Sequence, residues 1–254
     1  MGTAIITGSA SGIGAAVRTR LEADGDRVVG IDLRDAEILA DLSTAEGRAA
    51  AVAATLEATD GVIDRAVLSA GVAGSCGDNA LIASLNYFGA IELADGLLEA
   101  LTRGSDPSAV LVCSNSARFA PIDDHPYVAA LLDHDEKLAR ELVVKEHHFI
   151  AYSGSKHALA RAMRRRANVW GEARVRLNGI APGPVSTPLL QSTLDDPESK
   201  AGLEAMPMPL GRYGTPEEIA AFIATMLGPV CAFMHGSVVY LDGGNDAAMF
   251  PDRF

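Results

Sequence analysis

The strongest constraint on the fold is a strand, a glycine-rich turn and a helix in immediate succession near the N-terminus. Residues 3–7 predict a short buried strand, and Gly8, Gly12 and Gly14 follow it directly. From Ile13 onward, apolar residues recur at helical spacing. Glycines in this context allow a tight turn and a close approach of the backbone to a pyrophosphate, although the first two lie further apart than in the usual dinucleotide fingerprint. The pattern predicts a nucleotide-binding α/β fold.

Further apolar segments extend this prediction to a doubly wound parallel sheet of about seven strands. We expect one Rossmann-type domain over residues 1–254. The strands that can be placed from the sequence are 3–7, 27–32, 65–71, 109–114, 175–181 and 238–241. Small or polar residues end most of them, at the edge where the ligand crevice of such a sheet lies.

Composition excludes several classes of function. The chain carries 33 acidic and 21 basic residues, a net charge of -12, which disfavours nucleic acid and anionic membranes as partners. No apolar stretch reaches the roughly 18 residues that a membrane span needs. The cysteines Cys76, Cys113 and Cys231 are odd in number and lack metal-ligand spacing, so we expect reduced thiols in a cytoplasmic protein.

Acidic residues after the second strand bear on the choice of cofactor. Asp32 ends that strand, 18 residues after Gly14. A carboxylate there can accept both ribose hydroxyls of NAD and would repel the 2′-phosphate of NADP. Arg34 leaves NADP open, and a simple turn-forming aspartate is the alternative. Ser43 and Glu46 fit a capping box for the next helix.

Tyr152 and Lys156 carry the chemistry that the sequence indicates. On a helix they are i and i+4 and project from one face, about 5–6 Å apart at Cβ. A nearby ammonium and a helix N-terminus both lower the pKa of a phenol, so the pair can shuttle a proton for an alcohol or carbonyl. Ser114 ends a buried strand, where its hydroxyl can hydrogen-bond a substrate oxygen. Asn86 lies inside a helix predicted over 81–101, either as a buried polar group or as a surface residue.

In order along the chain, these motifs resemble the short-chain dehydrogenase/reductase family. The matching segments are Thr7-Gly-x-x-x-Gly-x-Gly14, Asp32, Ala70-Gly71, Asn86, Ser114, Tyr152-x-x-x-Lys156, the 182–187 segment and Leu241-Asp-Gly-Gly244. Within that family, segments 30–47, 86–89 and 170–173 resemble the bacterial 3α-hydroxysteroid dehydrogenase/carbonyl reductases. The long gap between Ser114 and Tyr152 in this chain also resembles those enzymes.

The resemblance implies a NAD-dependent oxidoreductase that interconverts a secondary alcohol and a ketone, with a 3α-hydroxysteroid as the expected small apolar substrate. It implies that Ser114, Tyr152, Lys156 and Asn86 are catalytic, with a relay water on Asn86. The residues implied to bind the cofactor are Gly8, Ser11, Gly12, Ile13, Gly14, Asp32, Leu33, Asp41, Leu42, Ala70, Gly71, Tyr152, Lys156, Pro182, Gly183, Val185 and Thr187. Another apolar alcohol such as a terpene alcohol, an acyl β-keto group, a sugar, and a non-catalytic NAD sensor remain as alternatives.

Two segments, 119–149 and 187–210, lie outside the strands and helices of the predicted Rossmann-type core. Residues 119–149 form an insertion in which apolar spacing predicts two short amphipathic helices. Four histidines, His125, His134, His147 and His148, show no i, i+4 pair, and we predict no metal site. In the resembled enzymes such an insertion shields the face through which most members tetramerise, which implies a homodimer through another face. Residues 187–210 are expected to be an irregular loop that covers an apolar substrate or packs on the sheet.

Overall fold

The computed structural model describes residues 2–119 and 121–252 and contains a seven-stranded sheet in the order β3-β2-β1-β4-β5-β6-β7. Every neighbouring pair is parallel. The strands are β1 Thr3–Thr7, β2 Arg27–Asp32, β3 Ile38–Leu39, β4 Arg65–Leu68, β5 Ser108–Val112, β6 Arg176–Pro182 and β7 Val238–Leu241. This order confirms the predicted Rossmann-type fold, in which ligands bind at the carboxyl ends of the strands.

Helices cover both faces of the sheet. They are α1 Gly12–Ala23, α2 Ala45–Ala58, α3 Asn79–Ala83, α4 Ala90–Thr102, α5 Pro126–Leu132, α6 Glu136–Val143, α7 His148–Arg165, α8 Ala167–Glu172, α9 Pro188–Asp195, α10 Pro197–Glu204, α11 Pro216–Leu227 and α12 Asn245–Met249. Neighbouring strand residues supply opposite layers of core, since Ile5 packs on the α4 and α7 side whereas Ile6 packs on the α1 and α11 side. Burial on both faces explains why the strands read as unbroken apolar runs.

The strand β4 ends earlier than the sequence predicts, because a side-chain hydroxyl takes over the backbone hydrogen bonds that follow it. The backbone amides of Ser69 and Ala70 donate to the Thr7 hydroxyl, both at 3.0 Å, so β4 stops at Leu68. Sequence reasoning missed the two-residue β3. It also assigned the cap of α2 wrongly, since the hydroxyl of Thr44, rather than that of Ser43, accepts from the Gly47 amide.

A turn of π-helix interrupts the long helix that contains Asn86. Ser84–Gly89 forms this turn between α3 and α4. Together they span Asn79–Thr102, which is long and apolar enough to cross a membrane by length and composition. About two thirds of its most apolar window (67%) is buried in the fold, as expected of a core helix. Single π-turns occur frequently at functional sites.

The insertion contains the two predicted helices, α5 and α6, and braces the helix that follows. The ring of Tyr127 on α5 lies against Gly154 on α7, where an added Cβ would approach it to 2.8 Å. The Tyr127 hydroxyl donates to the Ala151 carbonyl at 3.3 Å. The insertion therefore packs directly on the helix that carries Tyr152 and Lys156.

A buried arginine fastens the insertion to the rest of the fold. Arg48 on α2 is only 2% exposed and donates to Glu92 on α4 at 2.6 Å and to Glu136 on α6 at 2.5 Å. Its guanidinium also lies 5.9 Å from the centre of the Phe88 ring. Three elements distant in sequence thus share one charged group.

The expectation of an irregular segment at 187–210 is wrong, because two helices occupy most of it. Thr187 caps α9 and Asp196 caps α10, each followed by proline at the first helical position. Proline is favoured there because its missing N–H is not needed in the first turn. We call α9 and α10 together the lid.

We predict that Arg48→Ala destabilises the protein by about 2–4 kcal/mol, because it leaves two carboxylates without their shared partner. Urea unfolding measures this loss, and limited proteolysis within 119–149 should accelerate in parallel. Arg20→Ala is the matched control, because Arg20 also pairs with a carboxylate. That pair, with Asp24, lies on the surface. Equal losses of stability in both variants would contradict the role of Arg48 in fastening the insertion to the rest of the fold.

Candidate active site

A cavity of about 980 Å³ lies at the carboxyl edge of the sheet and extends beneath the lid. Every residue predicted to contact cofactor or substrate lines this cavity except Gly14 and Asn86. Those two lie directly behind its wall, as described below. The structure therefore brings into one enclosure residues that the sequence spreads from Gly8 to Thr187.

The glycine-rich turn leaves no room for a side chain at Gly8 or Gly14. Gly8 has φ +68°, and an added Cβ would meet the Ala70 Cα at 2.9 Å. A Cβ on Gly14 would lie 2.0 Å from the Gly8 carbonyl oxygen, which explains a glycine that does not face the cavity. Ser11 is the N-cap of α1, yet its hydroxyl makes no capping bond. The turn thus presents backbone and a free hydroxyl at a helix N-terminus, the usual environment for a phosphate.

Asp32 extends from β2 toward this turn. Its carboxylate accepts from the backbone amides of Ala10 at 3.0 Å and Leu33 at 2.7 Å. Both oxygens keep lone pairs for further donors, as a ribose-binding carboxylate requires. Asp41 accepts from the Ser43 amide at 2.9 Å and its hydroxyl at 2.6 Å. These contacts explain Asp41 as a local turn residue that also borders the cavity.

The helix α7 presents Tyr152 and Lys156 on its first turns. Lys156 is 5% exposed, and its ammonium donates to the Val112 carbonyl at 2.9 Å. Val112 ends β5, and Ser114 follows two residues later as the N-cap of a 3₁₀ turn. The Ser114 hydroxyl and the Tyr152 phenol line the same cavity, and the hydroxyl acts to lower the pKa of the phenol. Three of the four predicted catalytic side chains therefore converge in one cavity.

Burial decides the direction of the pKa shifts at this point. It raises the pKa of Tyr152 above its usual value, and the Ser114 hydroxyl opposes this shift. Burial also lowers the pKa of Lys156 to about 8, because the charged ammonium is poorly solvated. The direction for Tyr152 is opposite to the one expected from the sequence, where the ammonium and helix terminus were taken to dominate.

Asn86 is fully buried and braces the loop after β4. Its side-chain oxygen accepts from the Val72 amide at 2.9 Å, and its nitrogen donates to the Val72 carbonyl at 3.0 Å. A Cβ on Gly71 would lie 3.0 Å from the same oxygen. Of the two alternatives from the sequence, the buried polar role is therefore correct. The relay water predicted on Asn86 remains a prediction.

The end of β6 forms the opposite wall. Gly183 lies against Asp242, where an added Cβ would meet backbone at 2.8 Å. The Thr187 hydroxyl donates to the Val185 carbonyl at 3.1 Å and accepts from the Leu190 amide at 3.2 Å. The hydroxyl of Thr187, a residue implied to bind the cofactor, is therefore engaged in capping α9.

The sequence predicted that residues 187–210 cover the cavity, but it missed the residues of α7 that help to close its outer end. The lid supplies leucine side chains, Met206 lies just after it, and residues of α7 line the same end of the cavity. The principal ones are Leu189, Leu190, Leu203, Met206, Phe149 and His148. His148 lies one helical turn before Tyr152 and contacts the Ser199 hydroxyl on α10 at 3.3 Å. The apolar residues at 187–210 were a signal for this wall, whereas His148 gave none.

His147, His148 and Glu198 bring donor atoms within 4.8 Å of one another, which histidine spacing alone could not reveal. The geometry supports a hydrogen-bonded contact. Nδ1 of His147 accepts from the Phe149 amide at 3.1 Å, which places the proton of the neutral ring on Nε2. That nitrogen faces Glu198 at 2.9 Å, so a metal would have to displace the proton. The pair instead joins the lid to the start of α7.

The fold and the converging Ser114, Tyr152 and Lys156 define an oxidoreductase-type site, and comparison with known proteins gives its class. The chain is 44% identical over 257 residues to a 3α-hydroxysteroid dehydrogenase/carbonyl reductase from Comamonas testosteroni, covering 100% of both chains. The chain belongs to the short-chain dehydrogenase/reductase family. Residues 137–246 match the family described as Enoyl-(Acyl carrier protein) reductase.

Two further comparisons extend this result. The crystal structure of the 3α-hydroxysteroid dehydrogenase from Pseudomonas sp. B-0831 complexed with NADH superposes with a TM-score of 0.97 at 45% identity, covering 99% of this chain and 100% of that one. A coniferyl-alcohol dehydrogenase from a Pseudomonas species is 31% identical over 253 residues, 94% of each chain. The similarity therefore spans the whole architecture described above.

We predict that Gly14→Ala weakens NADH binding at least about tenfold, or 1.4 kcal/mol, because the new Cβ forces the glycine-rich turn apart. Fluorescence titration with NADH measures the affinity. Gly228→Ala is the matched control, since a Cβ there meets its nearest neighbour at an ordinary 3.4 Å. Unchanged affinity in Gly14→Ala would show that the turn does not approach the dinucleotide.

Burial of Lys156 predicts a specific pH dependence of stability. Its pKa falls from 10.5 to about 8 in the folded state, so between these values the unfolded chain binds more protons than the folded one. The free energy of unfolding should therefore rise with pH across this window relative to Lys156→Met, by up to about 3 kcal/mol. Urea unfolding of both proteins from pH 7 to 10.5 tests this. Parallel pH curves would mean that Lys156 is not desolvated.

Proposed function

We propose that the protein catalyses the reversible NAD-dependent oxidation of a secondary alcohol to a ketone, with a 3α-hydroxysteroid as the alcohol. One observation carries this proposal: Ser114, Tyr152 and Lys156 converge in a cavity that joins a dinucleotide turn to an apolar enclosure. The similarity to a 3α-hydroxysteroid dehydrogenase/carbonyl reductase over the full chain supports the choice of substrate.

The residues of the inner cavity fit NAD. Gly8 and Gly14 allow the close backbone approach that a pyrophosphate needs, and Asp32 offers carboxylate oxygens to ribose hydroxyls. The solved relative carries NADH, which supports the same cofactor here. Asp32 would repel the additional phosphate of NADP. When bound, NAD supplies the carbon that accepts the hydride from the alcohol.

The protein supplies the proton chemistry and the orientation of the substrate. Ser114 donates a hydrogen bond to the substrate oxygen, and Tyr152 removes the hydroxyl proton as the alcohol is oxidised. Lys156 holds its charge beside them, and the family pattern supports a role for it at the nicotinamide ribose. Tyr152 starts from a raised pKa, so phenolate formation depends on groups that stabilise its charge, of which Ser114 is one.

The outer cavity selects an apolar substrate. Leucine side chains of the lid line the cavity together with Phe149 and with Met206, which lies just after the lid. The unbranched Met206 can adapt to an irregular shape. Such a surface suits a rigid hydrocarbon framework with one reacting hydroxyl. It would also accept another apolar alcohol, and the similarity to a coniferyl-alcohol dehydrogenase makes an alcohol of that size the second candidate.

We further propose a cytoplasmic homodimer. Val128 and Leu131 of α5 belong to the same core as Phe88, so the insertion covers the outer face of α7 and of the 79–102 helix. Self-association through that face would require the insertion to leave. Cys76, Cys113 and Cys231 are free thiols, in keeping with a reducing compartment.

The first test measures the fluorescence of the reduced cofactor after adding NAD or, separately, NADP. The alcohols are a 3α-hydroxysteroid, a cyclic terpene alcohol and a small secondary alcohol. We expect rapid NAD-linked oxidation of the steroid. Tyr152→Phe should reduce turnover at least about a hundredfold, because no group replaces the base, while NADH binding stays nearly unchanged.

The outcomes separate the parts of the proposal. Turnover of another alcohol alone would keep the mechanism and change the substrate. Near wild-type turnover in Tyr152→Phe would remove the assignment of the base. Tight NADH binding without oxidation of any alcohol would support an NAD-binding sensor on the same fold.

A further inference from the structure

The Ser114 hydroxyl is held by the residue two positions later. Its oxygen accepts from the backbone amide of Ser116 at 3.2 Å and from the Ser116 hydroxyl at 3.0 Å. A serine oxygen has two lone pairs and one proton. Both acceptor positions of Ser114 are therefore occupied, and its proton remains for donation.

The surroundings of Ser114 direct this proton toward Tyr152 and the substrate oxygen beside it. Ser114 and Ser116 are each 8% exposed, and both line the cavity. The group across from Ser114 is the Tyr152 phenol, whose pKa it lowers. A substrate oxygen placed to lose its proton to Tyr152 lies within reach of the same Ser114 O–H.

We propose that Ser116 is a positioning residue that fixes Ser114 as a hydrogen-bond donor toward the substrate oxygen. The proposal rests on the role of Ser114 in the proposed function. Ser116 acts through Ser114 and contacts no reacting atom itself.

Loss of the Ser116 hydroxyl has a defined physical consequence. One lone pair of Ser114 becomes free, so its hydroxyl can rotate and accept a hydrogen bond from the Tyr152 O–H. That bond stabilises the neutral phenol, whereas donation from Ser114 stabilises the phenolate. The change therefore weakens the hold on the substrate oxygen and makes Tyr152 harder to deprotonate.

The turn itself does not depend on the Ser116 side chain. The bond from the Ser116 amide to Ser114 survives any substitution except proline. Asn115 donates to Asn245 at 2.8 Å, and Arg118 pairs with Asp246 at 3.0 Å, both from the same turn to α12. A substitution at Ser116 can thus alter the Ser114 hydroxyl while the backbone stays in place.

The experiment compares Ser116→Ala, Ser116→Cys and Ser116→Thr with wild type, using the alcohol that turns over best. We expect Ser116→Ala to lower kcat about tenfold, the effect of about one hydrogen bond, with little change in KM. The limb of kcat/KM that rises with pH should move to higher pH. Ser116→Thr keeps a hydroxyl and should restore both. Ser116→Cys, a weak donor of nearly the same size, should fall between alanine and wild type.

Ser114→Ala and NADH titration of every variant are the controls. Ser116→Ala with wild-type kcat and pH profile, beside an inactive Ser114→Ala, overturns the positioning role and leaves the proposed function standing. Lower kcat with an unmoved pH profile and no recovery in the cysteine and threonine variants assigns Ser116 a structural role and also overturns it. Wild-type turnover in Ser114→Ala instead rejects the function proposed for Ser114.

Discussion

The hydrogen bond from Lys156 to the Val112 carbonyl is the contact on which the site depends. A buried ammonium is tolerated only with hydrogen-bond partners, and this one is supplied at the end of a central strand. The bond docks α7 on β5 and so fixes the distance between Tyr152, on the same helix, and Ser114, just beyond the same strand. The same hydrogen bond therefore serves both the packing of α7 and the placement of the catalytic groups.

The insertion and the lid hold α7 from outside that contact. On its outer face, Tyr127 occupies the space that Gly154 leaves free, so the helix cannot shift toward solvent without opening the core. At its N-terminus, His147 caps the helix and reaches Glu198 on the lid. Closing the substrate cavity and capping the catalytic helix therefore use the same side chain, which links the lid to the position of Tyr152.

The sequence predicted the elements whose signals are local and missed those that depend on contacts. Thr215, with a proline after it and Glu218 three positions on, is a local signal for a helix start, and the structure has that cap. The same pairing of capping residue and proline at Thr187 and Asp196 marks the lid helices, but the apolar residues between them were assigned to a loop. The π-turn around Asn86 has no such local signal. The contact between His147 and Glu198 joins residues far apart in sequence, which spacing cannot bring together.

The direction of the Tyr152 pKa shows why placement alone does not make a base. From sequence, Lys156 and the helix terminus favour the phenolate, whereas burial in the folded protein favours the neutral phenol and prevails. The enclosure that excludes water from an apolar substrate is the cause of both effects, since it also lowers the pKa of Lys156 to about 8. Hydrogen-bond donors aimed at the phenol oxygen then decide how readily it ionises. The orientation of the Ser114 hydroxyl therefore affects the ionisation of Tyr152.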